Sequence, residues 1–228
     1  METLSHALQL LENCEAVLFD FDGLILDTEW PIYESYERLY QKEGQHLELA
    51  TYVACIGSDH ANWSPQTHLE ELTGRSYDWP KINAERQSWI EVEVAKRPIQ
   101  DGVVELLHQL KGEGKKSAVV SSSNHSWVDR WLAHLGLAGQ FDAVVCREDA
   151  AAIKPAPDLF LEGARQLACE PAQCLVLEDS LNGVLAANSA GCPVIAVPSR
   201  ITSVVDFSSA DAVVASLLDL RSDTTDLC

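Results

Sequence analysis

Short apolar runs at roughly 15–20, Lys116–Ser121, Phe141–Cys146, Gln173–Glu178 and Pro193–Val197 alternate with segments of about ten residues that carry helical spacing. The runs are too short for helices and have few polar positions, so they predict strands buried on both faces. The segments Asp101–Gly112, His125–Leu135, Pro157–Leu167 and Leu181–Ala190 predict helices, with Gly136 and Gly191 where two of them stop. Residues 1–14 predict a short amphipathic helix, Ala212–Ala215 one more strand, and Arg221–Cys228 a frayed tail. Strands that alternate with helices pair in parallel. The expected fold is α/β: a doubly wound parallel sheet, Rossmann-like in its winding.

The interval 30–98 breaks this rhythm. Tyr33, Tyr36, Leu39 and Tyr40, then Trp89 and Val92, recur at helical spacing, while Trp63-Ser-Pro65 and Tyr77-Asp-Trp-Pro80 mark turns. An inserted α-helical domain over 30–98 is therefore expected, interrupting a core built from 1–29 and 99–228.

Charge narrows the partners. Acidic residues outnumber basic ones 35 to 16, giving a formal charge of -19. Such a surface repels nucleic acid and anionic membranes, and neither is an expected partner. A phosphorylated substrate is repelled at long range too, so its site needs a metal and a few placed cations. The seven cysteines are odd in number and form no C-x-x-C pair. They read as free thiols of a reducing compartment. No apolar run approaches ~18 residues, and the N-terminus lacks a basic segment followed by an apolar one. A soluble, cytoplasmic monomer is expected.

In doubly wound sheets ligands lie beyond the carboxyl ends of the strands. The first strand ends in Asp20-Phe-Asp22-Gly23, the second in Ser121-Ser-Ser-Asn-His125, and the fourth in Glu178-Asp179-Ser180, while Lys154-Pro-Ala-Pro-Asp158 follows the third. Residues two apart on a strand share a face, and two carboxylates that close repel unless a cation lies between them. Asp20 is the candidate nucleophile on phosphorus. Asp22 is the candidate acid that protonates the leaving oxygen and the base that later activates water. Glu178 and Asp179 offer hard oxygen ligands suited to Mg2+. Ser121, with the backbone N–H groups of Ser122 and Ser123, would hold a phosphoryl oxygen, and Lys154 would clamp nucleophile and phosphate. Structural alternatives stand beside these. Asp179 or Ser180 can cap the helix at Leu181, and Ser123 or Asn124 the helix at His125. The seven histidines show no metal-ligand spacing, and only His60 and His125 are of interest, by position alone.

The four segments, in this order, resemble the motifs of the haloacid dehalogenase superfamily of phosphatases and phosphomutases, over residues 16–198. Asp20-Phe-Asp-Gly-Leu-Ile-Leu-Asp-Thr-Glu29 and Glu178-Asp-Ser-Leu-Asn-Gly-Val184 resemble its β-phosphoglucomutase-like and pseudouridine-phosphatase-like branch, and the helical insertion resembles that branch's small cap. The resemblance implies Asp20, Asp22, Glu178 and Asp179 around Mg2+, Asp22 through its backbone carbonyl. It also implies Gly23, Ser122, Ser123, Asn124 and His60 as phosphate or substrate contacts, and a cap hinged near Asp27–Pro31 and Arg97–Gln100. Dehalogenases proper lack the second Asp, so Asp22 argues against carbon–halogen chemistry. The cap loop around Ile56-Gly-Ser-Asp-His60 holds no lysine for a Schiff base. Ile32 and His60 stand where β-phosphoglucomutase has a His and an Arg. The expected activity is Mg2+-dependent hydrolysis of a small organic phosphomonoester through an aspartyl-phosphate. A sugar phosphomutase is the alternative enzyme, and a non-catalytic phosphometabolite-binding protein the alternative of another class.

Overall fold

The computed structural model describes residues 2–53, 56 and 63–221. Its strands are β1 (Ala16–Phe19), β2 (Lys116–Val120), β3 (Ala143–Val145), β4 (Cys174–Glu178), β5 (Val194–Ala196) and β6 (Ala212–Val213). They form one six-stranded sheet in the order β3-β2-β1-β4-β5-β6, with every pairing parallel. The chain winds from β1 outward to β3, then crosses back to lay β4 on the other side of β1. That reversal opens a crevice beyond the carboxyl ends of β1 and β4, the usual place for a ligand in such sheets.

Alternate side chains of each strand go to opposite cores, as the pleat requires. Val17, Phe19, Val119, Leu175 and Leu177 pack against helices α1 (Glu2–Asn13), α6 (Val103–Gly112) and α7 (His125–His134). Ala16, Leu18, Val120, Val176 and Val194 pack against α8 (Asp158–Gln166) and α9 (Leu181–Ala190). Both faces are covered, which is why the strands read as unbroken apolar runs. All six strands are shorter than the sequence suggests, and β3 shows one reason. The Asp142 carboxylate accepts from Ser117 N–H at 2.8 Å, so a side chain takes a backbone acceptor's place just ahead of β3.

Between β1 and α6 the chain forms α2 (Glu29–Lys42), α3 (Leu49–Tyr52), α4 (Pro65–Thr73) and α5 (Trp79–Val94). Their apolar faces make a third cluster, centred on Tyr33, Tyr36, Tyr40, Leu47, Tyr52 and Leu69, with Ile201 from the sheet-bearing part. Buried phenols need acceptors, and Tyr33 and Tyr40 donate to the carbonyls of Leu47 (2.9 Å) and Pro65 (2.6 Å). Val92 does not join this cluster; it is 56% exposed. The two crossings between insertion and sheet lie side by side. Leu26 bridges Ile99, Gln100 N–H donates to the Ile25 carbonyl at 2.9 Å, and Arg97 pairs with Asp27 at 3.6 Å.

None of the described helices is long and apolar enough to cross a membrane. Cys14, Cys146, Cys169, Cys174 and Cys192 are free thiols, and Cys55 and Cys228 lie outside the described residues.

Candidate active site

A cleft of about 680 Å3 lies beyond the crevice between β1 and β4. Asp20, Asp22, Ser121, Ser122, Ser123, Asn124, Lys154 and Asp179 all line it, as do Glu29 and Ile32 of α2 and Gln87, Ile90 and Glu91 of α5. Both the sheet and the inserted helices thus supply its walls.

Asp20 continues the sheet by one bond, its N–H donating to the Leu177 carbonyl at 3.0 Å. Asp22 has left the strand. Gly23 turns the chain at φ 97°, and its N–H donates to the Leu26 carbonyl. The two carboxylates therefore face one cleft through a turn rather than through the pleat of a longer strand. Glycine is needed at that turn for a second reason: a Cβ on Gly23 would stand 2.1 Å from Asp179 Oδ2. Gly23 backs the Asp179 carboxylate and does not line the cleft.

Lys154 is buried at 2% exposure and donates to Asp20 Oδ1 (2.5 Å), Glu178 Oε1 (2.6 Å) and the Val120 carbonyl (2.8 Å). All three ammonium protons are used. Burial disfavours its charge, but Asp20 and Glu178 outweigh that and hold the ammonium firmly protonated. Burial pushes the Asp20 carboxyl well above the usual range; Lys154 pulls it back, and Glu178 and Asp22 push it further up.

Glu178 is fully committed. Its second oxygen accepts from the N–H and hydroxyl of Ser180, both at 2.9 Å. Ser180 in turn caps α9, its Oγ accepting from Gly183 N–H at 3.1 Å. Gly183 makes room for this arrangement, since a Cβ there would come within 1.8 Å of the Glu178 carboxylate.

Asp179 is the opposite case. It is 1% exposed, yet neither oxygen accepts a hydrogen bond of ordinary geometry from the described residues, although the Ser199 hydroxyl is near enough to favour its ionised form. Burial raises its pKa strongly, and the charges of Asp20 and Glu178 add to the rise. One carboxylate oxygen from each of Asp20, Glu178 and Asp179 lies within 4.8 Å of the others. A buried carboxylate without donors costs several kcal/mol unless a cation or proton compensates it. This donor set fits a hard divalent cation.

Asp22 is held by hydroxyls and an indole. Oδ1 accepts from Thr28 Oγ1 (2.7 Å) and Trp127 Nε1 (2.9 Å), and Oδ2 from Ser121 Oγ (3.1 Å) and Ser123 Oγ (2.7 Å). Asn124 caps α7, its side chain accepting from Trp127 N–H at 2.9 Å, while it also borders the cleft. The Ser122 hydroxyl is buried and unpartnered among the described residues. His125 does not line the cleft and sits between Asp149 (2.7 Å) and Asp129 (3.3 Å). His60 lies outside the described residues. Thr28 and Trp127, which donate to Asp22, and Glu29, which lines the cleft, are residues that sequence reasoning did not single out. Thr28 and Glu29 sit inside the Asp20–Glu29 motif; Trp127 carries no local signal, its partner lying 105 positions away. Glu29 is pushed up to about 8 by burial and by the charges of Asp22, Asp20 and Asp27.

A parallel α/β sheet with carboxylates, a lysine and hydroxyls gathered at its switch point is the arrangement of an α/β enzyme that works on a ligand beyond its strand ends. The pattern of the haloacid dehalogenase-like hydrolases matches residues 17–197. The protein YhcW of Bacillus subtilis (strain 168) is 33% identical over 207 residues, 91% of this chain and 94% of its own. The fructose-1-phosphate phosphatase YqaB of Escherichia coli (strain K12) is 32% identical, covering 80% of this chain and 95% of its own. Among solved structures, the β-phosphoglucomutase pgmB of Clostridium difficile aligns at a TM-score of 0.72 and 25% identity, over 91% of this chain and 93% of that one. The chain belongs to the haloacid dehalogenase-like hydrolases and is a phosphatase of that family.

Proposed function

We propose that the protein is a Mg2+-dependent phosphomonoesterase acting on a small phosphorylated metabolite, with Asp20 as nucleophile. The observation that carries this reading is the setting of Asp20: a cleft carboxylate clamped by a buried lysine, beside a buried Asp179 carboxylate that accepts no hydrogen bond of ordinary geometry from the described residues. Asp20 and Asp179 would hold the ion directly. Glu178, whose oxygens are taken by Lys154 and Ser180, would reach it through water. When bound, Mg2+ supplies charge neutralisation for the carboxylates and the phosphoryl oxygens.

The chain's own groups then divide the work. An Asp20 oxygen bonds to phosphorus as the bond to the leaving oxygen breaks, and that oxygen takes a proton carried by Asp22. Water next attacks the phosphorus of the aspartyl-phosphate and gives its proton to Asp22. The Asp20–phosphorus bond breaks, and the carboxylate returns. Lys154 offsets the charge that gathers at Asp20, and Ser121 offers its hydroxyl, and Ser122 its backbone N–H, to the phosphoryl oxygens. We read 30–98 as a cap domain and 1–29 with 99–228 as the core, a division supported by the paired crossings at Leu26–Ile99 and Asp27–Arg97. Such a cap shields the intermediate from bulk water and chooses the ester.

Ile32 presents hydrocarbon to the cleft, which suits a hydrolase better than a mutase that must hold a bisphosphate. A phosphate-release screen over phosphorylated metabolites, with and without Mg2+ and beside Asp20→Asn, tests the reading. Mg2+-dependent release by the wild type, lost in Asp20→Asn, is expected. Isomerised product without free phosphate would point to the mutase, and tight binding without any turnover would contradict catalysis.

A further inference from the structure

Four donors converge on Asp22, and they differ in kind. Thr28, Ser121 and Ser123 contribute hydroxyls, which rotate and can give their protons to a substrate oxygen or a water instead. The fourth is the indole N–H of Trp127, at 2.9 Å from Oδ1. An indole donates in one direction fixed by its ring, and it has no acceptor role to exchange for.

The ring itself is clamped. The Trp131 ring meets it edge-on at 5.6 Å, and the Arg130 guanidinium lies over both rings at 5.5 and 4.7 Å. Arg130 also reaches across the cleft rim to Glu91 of α5 at 3.2 Å. At the backbone, the Asn124 cap holds Trp127 N–H at 2.9 Å. Both Trp127 and Arg130 line the cleft with Glu91. A rigid N–H, braced from its own helix and tied to an inserted helix, thus fixes one oxygen of Asp22.

We infer that Trp127 is a positioning residue for proton delivery: its indole N–H holds Asp22 Oδ1 so that the other oxygen, released by the serine hydroxyls, meets the leaving group. The inference rests on the acid role proposed above for Asp22. It also assigns a purpose to the Arg130–Glu91 pair, which ties the aim of Asp22 to the position of α5.

Leaving-group chemistry separates this role from a structural one. p-Nitrophenolate departs readily without a proton, whereas phenolate, a base whose conjugate acid has a pKa of ~10 as in tyrosine, gains from protonation. kcat/KM reports steps only up to loss of the leaving group, so phosphoenzyme hydrolysis does not blur it. With Mg2+ present, the ratio of kcat/KM for phenyl phosphate to that for p-nitrophenyl phosphate is expected to fall about fivefold or more in Trp127→Phe. Asp22→Asn should move it in the same direction and further. A packing defect would lower both substrates together and leave the ratio at the wild-type value. Trp127→Leu, which has no side-chain donor, gives the same comparison should the Phe variant not fold. An unshifted ratio in these variants, with a fallen ratio in Asp22→Asn, would overturn the role of Trp127 alone. An unshifted ratio in Asp22→Asn, or no turnover of either ester by the wild type, would overturn the acid role beneath it.

Discussion

At Gly183 a methyl group has nowhere to go. A Cβ would fall within 1.8 Å of the Glu178 carboxylate, which is itself pinned by Lys154 and Ser180. Overpacking of this kind costs about 1–3 kcal/mol, or roughly 2–12 °C in the midpoint of a domain this size. Thermal melting of Gly183→Ala should show a drop in that range, and an unchanged midpoint would mean that Glu178 has freedom the geometry denies it. In the sequence this glycine is one letter within Glu178-Asp-Ser-Leu-Asn-Gly-Val184. Its presence could be noted, but its reason could not, because the clash depends on how a turn folds a side chain back over α9. The charged groups were more legible. Asp20, Asp22, Lys154 and Asp179 stand at strand ends, where a parallel sheet must bring them together. Trp127 was illegible for the converse reason: a helix face looks the same whether its ring meets core or catalytic carboxylate.

The elements hold these side chains through their first turns. Asn124 caps α7 and so fixes the start of the helix that presents Trp127 and Arg130. Replacing such a cap by alanine costs about 1 kcal/mol. Asn124→Ala should therefore lower the midpoint by roughly 2–4 °C, as a melt followed by circular dichroism would report. No loss would assign the start of α7 to tertiary packing alone. Strand and helix periods were plain in the sequence because both faces of the sheet are covered. Strand ends were less so. Where Asp142 accepts the Ser117 N–H, a side chain replaces one bond of the ladder, and no pattern of apolar residues records that exchange. The insertion was visible as an interval without strands, and its aromatic spacing marked the third cluster. Val92 kept the helical spacing yet faces solvent, since α5 divides its surface between the cleft and α2.

For the molecule as a whole, the carboxylates of the cleft set a stability that depends on pH and on metal. Asp20, Asp179 and Glu29 all have pKa values raised by burial and by neighbouring carboxylates. A carboxyl raised on folding binds more protons folded than unfolded, so stability falls as pH climbs from its ordinary value toward the raised one. For Glu29 that window runs from the ordinary value of 4.5 to about 8. In metal-free protein at constant, high ionic strength, which screens the long-range repulsion of a -19 chain, the melting midpoint should decline from pH 5 to pH 8. Mg2+ should raise it more at pH 8 than at pH 5. Asp179→Asn should flatten the decline and remove most of the Mg2+ effect. A midpoint that rises toward pH 8 without metal would contradict this assignment of charge.

The central claim is that Asp20 takes the phosphoryl group. Acid quench of the enzyme during turnover of p-nitrophenyl phosphate with Mg2+, followed by peptide mass mapping, tests it most directly. The account predicts one base-labile phosphoryl group on the peptide spanning β1 and its following turn, located at Asp20 and absent from Asp20→Asn. Phosphate release at full rate with no phosphorylated peptide, or with the group on another residue, would contradict it.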